Sequence, residues 1–211
     1  MRFPVRGPPL RPFPGPSPKN TGFPPFPKNS FYSNMGIDRR RSGGRTGPGG
    51  KRMEKAVHIL IGGEAGQGLV TVGEILAKTL VRSGYRIVVT QGYMSRIRGG
   101  HNTFSLRVSG EEICAPQEAV DLLVALNDET LRLHQGEVSP RGRIVADQGC
   151  TLDEPNCLKV PYGHLASDRF SNIAALGVVS GLLGLEEETV GRTLEDFFGK
   201  KIPGLAEENR A

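Results

Sequence analysis

Between Ala56 and Thr90 the chain passes from a short β-branched and apolar run (Ala56–Ile61) through a loop with four glycines into a helical pattern, and then into a second β-branched run, "RIVVT". No other feature constrains the fold as much. Over Leu69 to Arg82, Leu69, Val72, Ile75, Leu76, Thr79 and Leu80 share one face while Glu74, Lys78 and Arg82 occupy the other. That spacing predicts a helix with one buried side, and Gly84 supplies its stop. Two buried strands joined through a helix form a β-loop-α-β unit, which calls for a right-handed crossover in a parallel sheet.

The same alternation continues downstream. "NTFSLRV" (102–108) alternates wet and apolar positions, which predicts a strand with one wetter face. "DLLVAL" (121–126), "GRIVA" (142–146) and "LKVP" (158–161) read as short buried strands. A short helix is expected from Asp128 to about His134, capped by Asn127 or Asp128. An apolar helix is expected from Asn172 to Leu183, ended by Gly184, and an amphipathic one from Glu186 to Phe198. Alternating strands and helices predict an α/β fold, a single Rossmann-like domain with a mostly parallel sheet.

Charge separates this domain from what precedes it. The 211 residues carry a net charge of +5, yet residues 1–52 hold eleven of the 27 basic residues and one of the 22 acidic ones. The remainder is therefore mildly acidic. Eleven of the 16 prolines also lie in that first segment, which buries too little apolar surface to offset the entropy of ordering it. Residues 1–53 are therefore expected to be a disordered basic extension and residues 54–211 the folded domain. The extension could be a nucleic-acid or membrane-binding tail, a targeting sequence, or a stretch upstream of a true start at Met53, which directly precedes the first strand. It lacks a signal-peptide apolar region and is too rich in proline for an amphipathic transit helix. The final "KKIPGLAEENRA" reads as a helix begun and not completed, an apparent truncation.

No apolar run reaches the ~20 residues of a membrane span. The three cysteines, Cys114, Cys150 and Cys157, form no C-x-x-C pair, so neither a disulfide scaffold nor a cluster-binding set is expected, and a reducing cytoplasm fits best.

The glycine loop fails two common nucleotide tests. Gly63 and Gly68 have the spacing of a Walker A loop, but Leu69 and Val70 stand where a lysine and a hydroxyl are needed. The second strand ends Thr90-Gln91, without the acid that holds a ribose in dinucleotide folds. A tight strand-to-helix turn remains, at Gly63, Gly66, Gln67 and Gly68. It either aims backbone amides at an anion or permits close packing of strand, helix and a neighbouring subunit. A second loop, "QGYMSRIRGGHNTF", places Arg96 and Arg98 beside Gly99, Gly100, His101 and Asn102. Arginines there could clasp phosphate or carboxylate, or form salt bridges at a subunit interface. His101 has no second histidine at ligand spacing, Asp147 reads as a cap or turn residue, and no self-sufficient catalytic set or metal site is expected.

Taken together, "GGEAGQGLVTVGEILAKTLVRSGY", "GYMSRIRGGHNTFSLRVS", "DLLVALND" and "SNIAALGVVSGLLGL" resemble the gamma domain of the 2-oxoacid:ferredoxin oxidoreductases, most of all the N-terminal domain of the fused alpha subunits. The resemblance runs from Lys55 to Ala211. It implies membership of a complex that oxidatively decarboxylates a 2-oxoacid to acyl-CoA and reduces ferredoxin. Thiamine pyrophosphate, magnesium and iron-sulfur clusters would sit in partner alpha (pyrimidine-binding) and beta (thiamine pyrophosphate-binding) subunits or domains. Coenzyme A could meet the two loops here, and the isolated chain would be inactive. A non-catalytic CoA- or nucleotide-binding module is the alternative. No nucleic-acid or membrane partner is expected of the folded domain.

Overall fold

The computed structural model describes residues 56–93, 100–116, 119–151, 156–165 and 170–199. The expected N-terminal extension, Arg96, Arg98 and Gly99 of the second loop, and the C-terminal residues 200–211 lie outside the described residues.

Six strands form one sheet: β1 (Val57–Glu64), β2 (Arg86–Tyr93), β3 (His101–Ser109), β4 (Val120–Ala125), β5 (Val138–Asp147) and β6 (Cys157–Val160). Their spatial order is β2-β3-β1-β4-β5-β6. The ladders β1–β4, β4–β5 and β5–β6 are parallel, whereas β3 is antiparallel to both of its neighbours, β1 and β2. β2 thus runs parallel to β1, as the β-loop-α-β pattern predicts, but β3 is inserted between them. The crossover through α1 (Leu69–Arg82) spans one strand position.

Period-two alternation splits the core into two layers. Ile59 and Ile61 of β1, Phe104, Leu106 and Val108 of β3, and Leu122 and Val124 of β4 face one side. They are covered by α1, α4 (Ser171–Leu182) and α5 (Glu187–Phe198). Gly73 of α1 lies directly over the Phe104 ring, which fills the space a β-carbon would need. Leu60, Leu123, Ala125, Ile144 and Ala146 face the other side, where α2 (Asp128–His134) contributes the buried Leu131. A four-residue helix, α3 (Tyr162–Leu165), follows β6.

The predicted stops hold. Gly84 adopts φ +86° after α1 and Gly184 φ +66° after α4, the left-handed conformation that ends helices. Tyr85 N–H then donates to Leu80 O at 3.0 Å, and Leu185 N–H to Ser180 O at 3.0 Å. Of the two candidate caps for α2, Asn127 serves: its Oδ1 accepts from Thr130 N at 2.9 Å. Among the described residues, no helix is long and apolar enough to cross a membrane.

Candidate functional site

The glycine loop begins where β1 ends. Gln67 N–H donates to Glu64 O at 3.1 Å, while the Gln67 side-chain oxygen accepts from Glu64 N at 2.7 Å and from Asn127 Nδ2 at 3.3 Å. One side chain therefore closes the turn and ties it to the start of α2. Gly63 makes this possible, because a β-carbon there would stand 2.9 Å from Gln67 Oε1 and 3.2 Å from Leu126 Cδ1. Gly66 and Gly68 adopt φ +98° and +74°, a region that glycine enters without steric cost. Gly68 also leaves room for the Asn172 side chain of α4.

Beyond the loop lies a cavity of about 480 Å³ lined by Gly66, Gln67, Gly68, Leu126, Asp147, Tyr162, Ser171 and Asn172. It sits at the carboxyl ends of β1, β4 and β5, the edge at which open α/β sheets receive ligands. The N-termini of α1 and α4 both reach it, and neither helix has a side-chain cap at its N-cap residue, Gly68 or Phe170. Two positive dipole ends thus face one space, and in the first turn of α4 the Ile173 amide is taken up by Asn172 Oδ1 at 2.9 Å. Asp147 has both oxygens engaged, Oδ1 by Gly149 N at 2.8 Å and Oδ2 by Tyr162 N at 3.2 Å. The expected turn role of Asp147 is what these bonds show, and it lines the cavity as well.

The two sequence motifs meet. Ala65 N–H donates to Gly100 O at 3.2 Å, and in the β1–β3 register Gly63 pairs with Asn102 and Glu64 with His101. Their side chains part company there. Asn102 Oδ1 is buried without a partner among the described residues. His101 turns to the α2 side, where its Nε2 lies 2.9 Å from His134 Nε2. No second histidine lies at ligand spacing from His101 in the sequence, and the fold brings one to it across 33 residues, which local spacing does not reveal.

Of the expected site residues, the structure gathers Gly66, Gln67 and Gly68 on the cavity wall, sets Gly63 behind them and joins Gly100 to their loop. Leu126, Tyr162, Ser171 and Asn172 line the same cavity and were not singled out from sequence. Asn172 opens the small-residue helix pattern "NIAALG", which is the one signal that could have drawn attention to it.

Burial dominates the titration of the polar groups nearby. It raises the Tyr162 hydroxyl well above the usual tyrosine range, aided by Asp147, Cys150 and Cys157. That hydroxyl has no partner among the described residues. Burial likewise pushes the Cys150 thiol up to about 11, with Asp128 and Asp147 adding to it and Lys159 opposing. At neutral pH Cys150 is a thiol and a poor nucleophile. Among the described residues no group of three or more His, Cys, Asp and Glu side chains is arranged to hold a metal ion.

These features define an α/β module with a cavity at the carboxyl edge of its sheet, beside a glycine loop that carries neither of the common nucleotide signatures. The chain belongs to the pyruvate ferredoxin/flavodoxin oxidoreductase family, whose model matches residues 58–211. It is homologous to subunits of 2-oxoacid:ferredoxin oxidoreductases. It is 29% identical over 163 residues to the 2-oxoglutarate synthase subunit KorC of Archaeoglobus fulgidus, covering 74% of this chain and 84% of that subunit. It is 30% identical over 158 residues to the 2-oxoacid:ferredoxin oxidoreductase 2 subunit alpha of Aeropyrum pernix, covering 74% of this chain and 25% of that one. Among solved structures it resembles the 2-oxoglutarate:ferredoxin oxidoreductase of Magnetococcus marinus, determined with 2-oxoglutarate, coenzyme A and succinyl-CoA bound. That match has a TM-score of 0.68 at 26% identity and covers 74% of this chain and 29% of the other. The chain thus spans most of a separate KorC subunit and about a quarter of the fused alpha subunit.

Proposed function

We propose that this chain is the gamma-type component of a 2-oxoacid:ferredoxin oxidoreductase complex, and that its two loops contact coenzyme A while partner subunits carry out the oxidative decarboxylation. The observation that carries this reading is the junction of the two motifs, Ala65 N–H to Gly100 O, beside a cavity reached by two helix N-termini. The amides of Gly66 and Gly68 suit a phosphate oxygen, since they offer hydrogen bonds together with the positive end of α1. Arg96 and Arg98 precede Gly100 in the chain and would add charge-assisted bonds to phosphate. The Asp147 wall is acidic and suits a hydroxyl or amide of the same ligand better than its phosphates.

Thiamine pyrophosphate with magnesium, and the iron-sulfur clusters, belong in this reading to alpha- and beta-type partners, with ferredoxin as electron acceptor. The residues of this chain bind and orient; the electron-sink chemistry is supplied by the cofactors of the partners. No catalytic residue is assigned to the chain. The homology to KorC and the bound 2-oxoglutarate of the Magnetococcus enzyme favour a 2-oxoacid of the 2-oxoglutarate type as substrate.

The test is Arg96→Ala combined with Arg98→Ala in the assembled complex. Loss of two charge-assisted bonds, each worth about 1.5–3 kcal/mol, is expected to raise the apparent KM for coenzyme A at least tenfold with the complex intact. An unchanged KM in an intact complex would reject the coenzyme A assignment.

A further inference from the structure

His101 opens β3 and His134 closes α2. Their Nε2 atoms are 2.9 Å apart and their ring centres 5.0 Å apart, so both nitrogens lie close to the line joining the rings. Head-on contact of this kind fits a single proton shared between two nitrogens. Chelation of a metal ion would instead make the two lone pairs converge at an angle. On the far side of His134, Nδ1 lies 3.0 Å from Glu137 Oε1 in the 3-10 turn Gln135–Glu137.

These contacts fix the tautomers. An ionised carboxylate can only accept, so neutral His134 donates from Nδ1 to Glu137 and presents a bare Nε2. His101 Nε2 must then be the donor, which leaves His101 Nδ1 without a proton. That atom is buried and has no partner among the described residues. A proton added at His101 Nδ1 would be an unsatisfied donor, and one added at His134 Nε2 would set two N–H groups against each other. Either way a further proton on the pair is penalised while the chain stays closed.

The surroundings are built for the contact. Gly62 of β1 has no β-carbon where one would meet the Thr130 side chain and approach His101 Cε1 to 3.2 Å. Thr130 is itself fixed by Asn127 Oδ1, which accepts from both its N–H (2.9 Å) and its hydroxyl (2.8 Å). His101 follows Gly100, the residue that binds Ala65 of the glycine loop, and pairs with Glu64 in the sheet. The ring contact therefore anchors the point at which the two loops join.

We propose that His134 and Glu137 are positioning residues: through a chain of two hydrogen bonds, Glu137 to His134 to His101, they lock the Gly100–Ala65 junction of the two loops, and uptake of one further proton releases it. The consequence for coenzyme A rests on the proposed function of the loops, but the chain itself does not. Burial holds His101 below the ordinary histidine value, His134 adds to the effect and Glu129 of α2 opposes it. Glu64 on β1 and Glu137 on the 3-10 turn are the other acidic groups facing the pair. With the folded pKa lowered, the contribution of the lock is complete above the unfolded value of 6.5. It is lost as pH falls through that value toward the folded one.

The full chain labelled with ¹⁵N-histidine tests this. At about pH 7.5 a scalar coupling across the His101–His134 hydrogen bond is expected, and it should vanish as the pair protonates below the ordinary histidine value. His134→Phe, which keeps a ring but cannot accept, should lower hydrogen-exchange protection of the Ala65 amide roughly fivefold to tenfold, the worth of one hydrogen bond. His134→Gln can accept again and should restore that protection. Two rings titrating independently at the ordinary value, with no coupling, would overturn the proposal. So would unchanged Ala65 protection in His134→Phe. If His134→Phe does not fold, the wild-type coupling and titration decide alone. None of these readouts uses coenzyme A, so they separate this proposal from that of the loops.

Discussion

At the residue scale the glycine loop depends on atoms that are missing. Gly66 and Gly68 are both left-handed, but they differ in what surrounds them: a β-carbon on Gly66 meets nothing within 4 Å, whereas one on Gly68 runs into Asn172 of α4. Gly66→Ala should therefore pay strain alone, about 1 kcal/mol. Gly68→Ala adds a steric conflict between α1 and α4 and should cost about 2–3 kcal/mol. Urea unfolding of the two variants checks this, and equal losses would mean that the Asn172 contact is not a constraint. Gln67 is the other residue of consequence. Its oxygen accepts from both Glu64 N and Asn127 Nδ2, so one side chain fixes the loop to the end of β1 and to the start of α2.

At the element scale, the strands were legible where apolar runs end at glycine, and less so where pairing alone sustains them. β2 continues past Thr90 through Gln91 to Tyr93, residues with no strand pattern, because Gln91, Gly92 and Tyr93 pair with Phe104, Thr103 and Asn102 of β3. β5 begins at Val138 and passes through Pro140, a residue that local reading treats as a breaker. The insertion of β3 between β1 and β2 was not legible at all, since neighbour choice in a sheet is set by packing between segments and not by the period within one. The candidate site divides in the same way. Its front, Gly66 to Gly68, was visible as a punctuated strand-to-helix turn; its back, Tyr162 and Asn172, comes from elements some hundred residues further on. The short helix α2 shows how much a single cap can hold. Asn127→Ala should destabilise the domain by about 1 kcal/mol and loosen Gln67 as well, while Asn127→Asp retains the acceptor and should recover most of the loss, as thermal unfolding would show.

At the scale of the whole molecule, three helices cover one face of the sheet, α2 packs on the other and a cavity opens at its carboxyl edge, and the homologues occur both as separate subunits and within fused alpha subunits. On the proposed reading, a chain that brings a loop junction to a crevice, with Cys150 held as a neutral thiol, binds while its partners react. The reaction then requires partners. Isolation of the native assembly from its host, followed by assay of 2-oxoacid-dependent ferredoxin reduction with and without coenzyme A, tests this most directly. The expected result is an assembly that contains thiamine pyrophosphate and reduces ferredoxin with a strict requirement for coenzyme A. An assembly that lacks thiamine pyrophosphate and shows no 2-oxoacid-dependent reduction would contradict it.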